Sequence, residues 1–464
     1  LRTGYAACAL RMTAYLICKS PCVGWDMFSR RNFLWTSSAA ALLALRSDAR
    51  AQQGSAPGAG SIPPAIAVLP DLSGQAKPFT NDERLARIER ARQLMAANKI
   101  DAIILSNSAT SSVYFASIRF GGSERFWALV IPAKAKPFVV CPAFEEDRAR
   151  ELLGAGPFAK DADVLTWQED EDPFALTVKG LRDCGITTGT VGLDENMKFI
   201  FADSLAKATP QLHFVSALPV TAGCRMIKDQ HELDCIRLAC RATLLVYRAV
   251  YQSLQEGMMT RDVRRLVQAG YQRVGFEGEA SLNIGEFTAS PHGSIQPQTI
   301  REGTILMMDD GCSVEGYTSD ITRTFVLGKA TDKMKSVFDV VHNAQSAALA
   351  AAKPGVSLAN VDAAARKVIV DAGYGPGFKY FTHRVGHGMG MDMHEWSYLV
   401  KNNMFGWELN PVLRPNMVFS DEPGVYIRGE FGVRLEDDMH VTENGAELFT
   451  PQSPSLEDPF GNVS

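Results

Sequence analysis

Two folded domains are what the sequence predicts: an α/β unit over about 79–224, then an α+β unit over about 225–452 built from two similar halves. Three observations carry this. The chain has 464 residues, 46% of them hydrophobic, enough to fill two cores. Short apolar runs alternate with helical stretches through the first half. In the second half, two helices followed by acid-bearing strands occur twice.

Met27 is followed by Ser29-Arg30-Arg31-Asn32-Phe33-Leu34, a short apolar stretch from Ala39 to Leu45, and the small-residue end Ala49-Arg50-Ala51. That order matches a twin-arginine export signal with an Ala-x-Ala cleavage site; the competing reading is an arginine pair on a disordered tail. Residues 1–51 are expected to be a leader with the true start at Met27, and the product to be periplasmic or secreted in a bacterium. No run approaches the roughly 18 apolar residues that cross a bilayer, so no stable membrane anchor is expected. A net charge of -5 without a dense basic tract argues against nucleic acid as a partner. The nine cysteines show no Cys-x-x-Cys spacing, so neither a zinc finger nor a specific disulfide follows.

Residues 52–78 are expected to be a linker, rich in Gly, Ala, Pro and Ser at its start, with order beginning near Phe79. Thr80 to Glu83 has a capping-box pattern, and Leu85, Ile88 and Leu94 mark the helix behind it. Strands are expected at Asp101–Leu105, Phe126–Ile131, Phe138–Cys141 and Thr190–Leu193, with a helix at Glu145–Leu153. Past a junction at 225–228, Asp229 caps a long helix whose apolar stripe is Leu233, Ile236, Cys240, Leu244, Tyr247, Tyr251 and Leu254. A second helix ends near Gly270; a later pair runs from Thr331 to Pro354 and from Val356 to Gly373. Residues 453–464 are expected to be a tail.

Carboxylates rarely sit alone inside apolar strands. Asp309 follows Ile305-Leu306-Met307-Met308, and Asp320 precedes the β-prone run Ile321 to Phe325. A hairpin centred near Val314 and Glu315 would set these two acids opposite each other, where they repel unless a proton or cation intervenes. Glu422 ends a second apolar strand, and Glu436 follows Gly432 to Leu435 across another hairpin-sized loop. His387 lies in the Gly-rich segment His383 to Gly390, where backbones can approach closely. Taken singly, each acid reads as a turn or ladder charge. Five potential ligands at strand ends of both halves read as a metal centre, and an acid-rich set with one histidine suits Mn²⁺, Co²⁺, Fe²⁺ or Zn²⁺.

At these residues a family resemblance becomes specific. Asp309 to Phe325, His383 to Glu395, Glu422-Pro423-Gly424 and Gly432 to Asp438 resemble the pita-bread metallopeptidases, which include aminopeptidase P, prolidase and methionine aminopeptidase. Residues 79–224 resemble the creatinase-type amino-terminal domain of that group. The resemblance implies a creatinase-like domain over 79–224 and a pseudo-twofold pita-bread catalytic domain over 225–452. It implies two divalent metal ions, with Mn²⁺ placed first, held by Asp309, Asp320, His387, Glu422 and Glu436. His292 and His394 would face the substrate, and Arg434 would stand beside the metals. His383 is left between a supporting and a structural role. Before the Pro291-His292 pair many relatives carry Gly-x-Asn, where this chain has Gly285-Glu286-Phe287, a departure that bears on the specificity pocket.

The expected reaction is Xaa-Pro cleavage of a dipeptide or a longer peptide, by a homodimer. A metal-bridging hydroxide would attack the scissile carbonyl, with Glu422 as general base and His292 or His394 stabilising the oxyanion. Two alternatives stay open: a metal-dependent hydrolase or lyase of a small non-peptide substrate, and a non-catalytic binding protein. Arg119, Arg125 and Trp127 are read either as substrate contacts or as ordinary loop and strand residues.

Overall fold

The computed structural model describes residues 62–107, 109–120, 123–159, 161–401 and 412–461. The expected leader, its Arg30-Arg31 pair and the linker up to residue 61 lie outside these.

The amino-terminal domain is built on a six-stranded sheet in the order Asp163–Trp167, Phe138–Pro142, Ala128–Pro132, Ala102–Ser106, Gly189–Leu193, Leu212–Ser216. Ala128–Pro132 runs antiparallel to both neighbours; the other pairings are parallel. Successive side chains of a strand point to opposite faces, so Ile103 and Leu105 meet Ile88, Ala91 and Met95 of helix Asn81–Ala97. Ala102 and Ile104 meet Leu181 and Leu205 of the helices on the other face. Thr80 caps the first helix as expected, accepting from the Glu83 N–H. The sequence reading missed the two edge strands. Each is only half-buried, so neither carries a continuous apolar run.

Order begins well before Phe79, which corrects the linker expectation for residues 62–78. A short helix, Pro64–Ala67, and a 3₁₀ turn, Ser73–Gln75, bring Ile66, Leu69 and Leu72 onto the helix Gln230–Tyr251. These few apolar residues were hidden among Pro, Ser and Gly. They also explain why that helix is buried on more faces than one stripe requires. The presumed tail is corrected in the same way: Leu456 and Phe460 are buried, and the Leu456 carbonyl accepts from the Val326 N–H.

The second domain repeats one plan. Helices Gln230–Tyr251 and Thr260–Val274 share a core with Leu282, Leu306, Met308 and Phe325. Helices Asp332–Ala351 and Leu358–Asp371 share a second core with Phe419, Val425, Val433 and Met439. Each half thus buries its own helix pair against its own strands, and both halves turn acids toward a common cleft. No helix among the described residues is long and apolar enough to cross a membrane.

Candidate metal centre

In the first half, strand Ile305–Asp309 pairs with Arg323–Val326, Met308 facing Arg323. The turn joining them is centred on Glu315 and Gly316, both with positive φ, as a tight two-residue hairpin loop requires. This centre lies one residue later than expected. Thr322, not Asp320, therefore faces Asp309, and Asp320 falls across from Gly311. The two acids still converge, their ligand atoms lying within 4.8 Å of one another.

In the second half, Asp421 faces Asp437 and Gly424 faces Arg434, so Glu422 and Glu436 stand opposite each other in the gap between two ladders. His387 comes from the short strand Gly386–Gly388 alongside. A Cβ on Gly386 would lie 2.0 Å from the Ser420 carbonyl oxygen, so glycine is what lets this strand approach closely enough to deliver the imidazole.

The five expected ligands meet. Ligand atoms of Asp309, Asp320 and Glu436 all lie within 4.8 Å of one another, as do those of His387, Glu422 and Glu436. His387 Nε2 is 3.4 Å from Glu422 Oε1 and 3.6 Å from Asp320 Oδ2. His394 packs edge-on against His387, ring centres 4.0 Å apart. His292 lies on an exposed loop whose Pro291 carbonyl accepts from Arg434. Arg434 also contacts the Asp309 carboxylate directly and lies 3.8 Å from Glu436. His383 binds the Tyr426 hydroxyl at 2.7 Å and stands 3.7 Å from Glu422 Oε2, outside the ligand groups. Arg125 is taken up by Glu169 and Glu124, and Trp127 is buried against Phe120; neither joins this cluster.

Electrostatics sets the chemistry of the cluster. Burial, then the neighbouring Asp309, pushes the Asp320 carboxyl well above the usual range. Burial, then Asp320 and Glu422, does the same to Glu436. Burial raises Glu422 to about 7, with Arg434 pulling the other way. Burial, then His394, holds His387 far below its ordinary pKa, so it is neutral. The Gly388 carbonyl, 3.1 Å away, accepts from Nδ1–H, which leaves the Nε2 lone pair aimed at two carboxylates. A lone pair facing carboxylate oxygens is repulsive unless a proton or a cation lies between. Four oxygen donors and one imidazole, buried and converging, fit divalent ions of the first transition row.

Several supporting residues escaped the sequence reading. The Thr322 hydroxyl lies 2.7 Å from Asp309 Oδ1 and 2.5 Å from Glu436 Oε2, and accepts from Arg434 Nε at 3.0 Å. Asp438 accepts the Asp320 main-chain N–H at 3.0 Å. Ser420 accepts the His387 N–H and donates to Glu422. Correct placement of the turn would have exposed Thr322, as the residue facing Asp309. Tyr426 and Ser420 left no signal, since each reads as an ordinary strand residue.

A cleft of about 880 Å³ opens beside the cluster, lined by Phe287, His292, Phe378, Lys379, His383 and Tyr426. Glu286, in the segment that departs from the Gly-x-Asn pattern, is on its wall.

Comparison with known proteins places this geometry. The model of metallopeptidase family M24 matches residues 234–443, and that of the creatinase/prolidase N-terminal domain matches residues 87–227. A putative dipeptidase, YkvY, of Bacillus subtilis is 32% identical over 337 residues, 72% of this chain and 89% of the relative. An Xaa-Pro dipeptidase of Lactobacillus delbrueckii subsp. lactis is 30% identical over 378 residues, 80% of this chain and 98% of the relative. The crystal structure of dipeptidase PepE from Mycobacterium ulcerans superimposes with a TM-score of 0.74 at 29% identity, covering 82% of this chain and 99% of that one.

Proposed function

The chain belongs to metallopeptidase family M24, and from that premise we propose that it is a metal-dependent Xaa-Pro dipeptidase. The carrying observation is the His387 Nε2 lone pair set among Asp320, Glu422 and Glu436. The substrate reading is supported by the Xaa-Pro dipeptidase relative, which this chain spans almost end to end.

Asp309, Asp320 and Glu436 would hold one ion; His387 and Glu422, with Glu436 and Asp320 between the two positions, would hold the other. Bound there, divalent ions acidify water and polarise a carbonyl, with Mn²⁺ the ion we favour. Glu422 Oε1 faces His387 and Ser420, which leaves Oε2 to take the proton of the attacking water and pass it to the leaving nitrogen. His394 and His292 stand where they can donate to the developing oxyanion, a contribution of about 3–4 kcal/mol for a well-placed donor. Arg434 keeps Asp309 oriented and, through the Pro291 carbonyl, ties the His292 loop to the centre.

The finer parts of the proposal are proline at the second position, a homodimer, and export to the periplasm through the Arg30-Arg31 signal with cleavage after Ala51. A substrate panel tests the core. Metal-stripped protein resupplied with Mn²⁺ should cleave Xaa-Pro dipeptides faster than longer Xaa-Pro peptides, and creatine-like amides not at all. Equal rates on dipeptides lacking proline, or turnover of the amides alone, would reject it. Amino-terminal sequencing of periplasmic protein, and its mass in solution, test the export and dimer parts.

A further inference from the structure

Outside the cleft lies a second group of buried charges. Glu395 follows His394 and is 3% exposed; Lys228 and Arg225 are 2% and 6% exposed. Arg225 ends the helix Leu218–Arg225 of the amino-terminal domain, and Lys228 lies in the connection to the helix Gln230–Tyr251. Both cations therefore come from the joint between the domains, whereas Glu395 belongs to the catalytic one.

The contacts converge on the loop that carries His394. Glu395 Oε1 accepts from the Met391 and Asp392 N–H groups at 2.9 and 3.0 Å, folding the loop back on itself. Arg225 Nε lies 3.5 Å from Glu395 Oε1, and Lys228 Nζ 3.6 Å from Oε2. The other Arg225 nitrogens reach Asp392 and Glu195, each at 3.2 Å. Thr110 donates to Asp392 at 2.6 Å, a further tie from the amino-terminal domain. The Gly390 Cα hydrogens lie over the Glu395 carboxylate, where a Cβ would come within 2.8 Å of Oε2. Arg225, Lys228 and Thr110 from outside, with Glu395 from within, thus fix the segment 389–395, whose one imidazole is the exposed His394.

We propose that Arg225 and Lys228, at the joint between the domains, position His394 for the reaction by anchoring Glu395. Glu395 touches neither substrate nor metal in this reading; it acts through the backbone it holds. A buried carboxylate between two cations of another segment stays in place only while both remain, so the amino-terminal domain contributes to catalysis from within its own chain. Burial alone would raise the Glu395 pKa, yet the two cations leave it below the ordinary value, which keeps the anchor charged.

The proposal rests on His394 acting on the substrate, and its test separates the two ideas. Glu395→Gln keeps the shape and removes the charge. It should lower kcat by about 10²-fold, the scale for a small misplacement of a reacting group, with KM changed little. In a His394→Ala background the same substitution should cost less than about threefold, because what it positions is gone. Metal content should stay at the wild-type level. In the metal-free protein, the His394 imidazole ¹H–¹⁵N resonance should shift or double. If Glu395→Gln misfolds, Asp392→Asn loosens the same loop from a half-exposed position and should move the same resonance less. Equal losses in both backgrounds, or an unmoved His394 resonance, would overturn the positioning role. Full turnover by His394→Ala alone would overturn the reading of His394, while the resonance would still report whether Glu395 anchors it.

Discussion

Thr322→Val tests the centre at a residue that holds two of its carboxylates. The threonine hydroxyl has one proton and two close carboxylate oxygens, 2.7 Å away on Asp309 and 2.5 Å away on Glu436. It can donate to only one at a time, and it accepts from Arg434 Nε with its lone pair. Valine fills the space but offers neither function. A hydrogen bond to a charged group contributes roughly 1.5–3 kcal/mol. Loss of an outer-shell partner typically weakens metal binding about 10–100-fold, or about 1.4–2.8 kcal/mol at roughly 1.4 kcal/mol per decade. The two estimates agree, so Thr322→Val should bind Mn²⁺ about 10–100-fold more weakly in a chelator competition titration. Activity should return to within a few-fold of wild type at saturating metal. The metal-free variant should also melt lower, by about 2–4 °C per kcal/mol for a unit of this size. Affinity unchanged within twofold would refute the reasoning. So would lost activity that excess metal does not restore, because Thr322 would then act on the chemistry rather than on the ligands.

Other perturbations follow from the same crowding. Glu422, raised to about 7, contributes stability that is fully present below about pH 4.5 and is lost as pH rises through 7. Asp438, raised chiefly by burial to about 8, extends that loss upward. The metal-free protein should therefore melt progressively lower from pH 5 to pH 8, whereas the metal-loaded protein gains over the same range because its ligands must be deprotonated; scanning fluorimetry with and without chelator checks the crossing trends, and parallel curves would contradict them. Asp320→Asn removes one repelling charge without changing shape, so metal-free variant at pH 8 should melt above metal-free wild type, yet gain nothing from added Mn²⁺. Tyr426→Phe loses the 2.7 Å bond to His383 and the 3.3 Å bond from Arg434. A neutral hydrogen bond contributes about 0.5–1.5 kcal/mol and one to a charged group about 1.5–3 kcal/mol, so kcat/KM should fall by about tenfold or more with metal content unchanged, measured by steady-state kinetics and elemental analysis.

The ligands were legible because charge inside an apolar strand is costly, and that cost leaves a mark in one dimension: Met307-Met308-Asp309 or Phe419 to Glu422 alone reads as a ladder charge, but five such residues together read as a metal centre. Register was not legible. A Glu-Gly pair at positive φ shifted the first turn by one residue and handed the place opposite Asp309 to Thr322. The twofold plan was visible in the order of helices and strands, whereas the edge strands Asp163–Trp167 and Leu212–Ser216 were not, since an edge buries too little to impose a pattern. The segment at 62–78 and the end of the chain misled for the opposite reason. Ile66, Leu69, Leu72, Leu456 and Phe460 are buried there, but composition averaged over the neighbouring Pro, Ser and Gly conceals them. Residues acting through the backbone, such as Glu395 and Asp438, became visible only when partners more than a hundred positions away were known.

One hairpin carries acids on both faces, and the two faces resolve their charge differently. On the back face, Asp437 is bound by Arg323 at 2.6 Å, by Thr450 and by Gln345. Among the described residues neither oxygen of Asp421, across from it, has a hydrogen-bond partner, and burial, then Asp437, pushes its pKa far up, so it keeps its proton. One guanidinium and one proton thus settle that face permanently. On the front face, Glu422 and Glu436 meet Asp309 and Asp320, and among the described residues Arg434 is the one cation in contact with them. Three negative charges remain, more than one divalent ion neutralises and one fewer than two supply. Two divalent ions held there would leave one positive charge in excess, which favours an electron-rich oxygen, and their entry would displace the protons that crowding holds on Asp320 and Glu436, whereas the back face is already settled by Arg323 and the Asp421 proton.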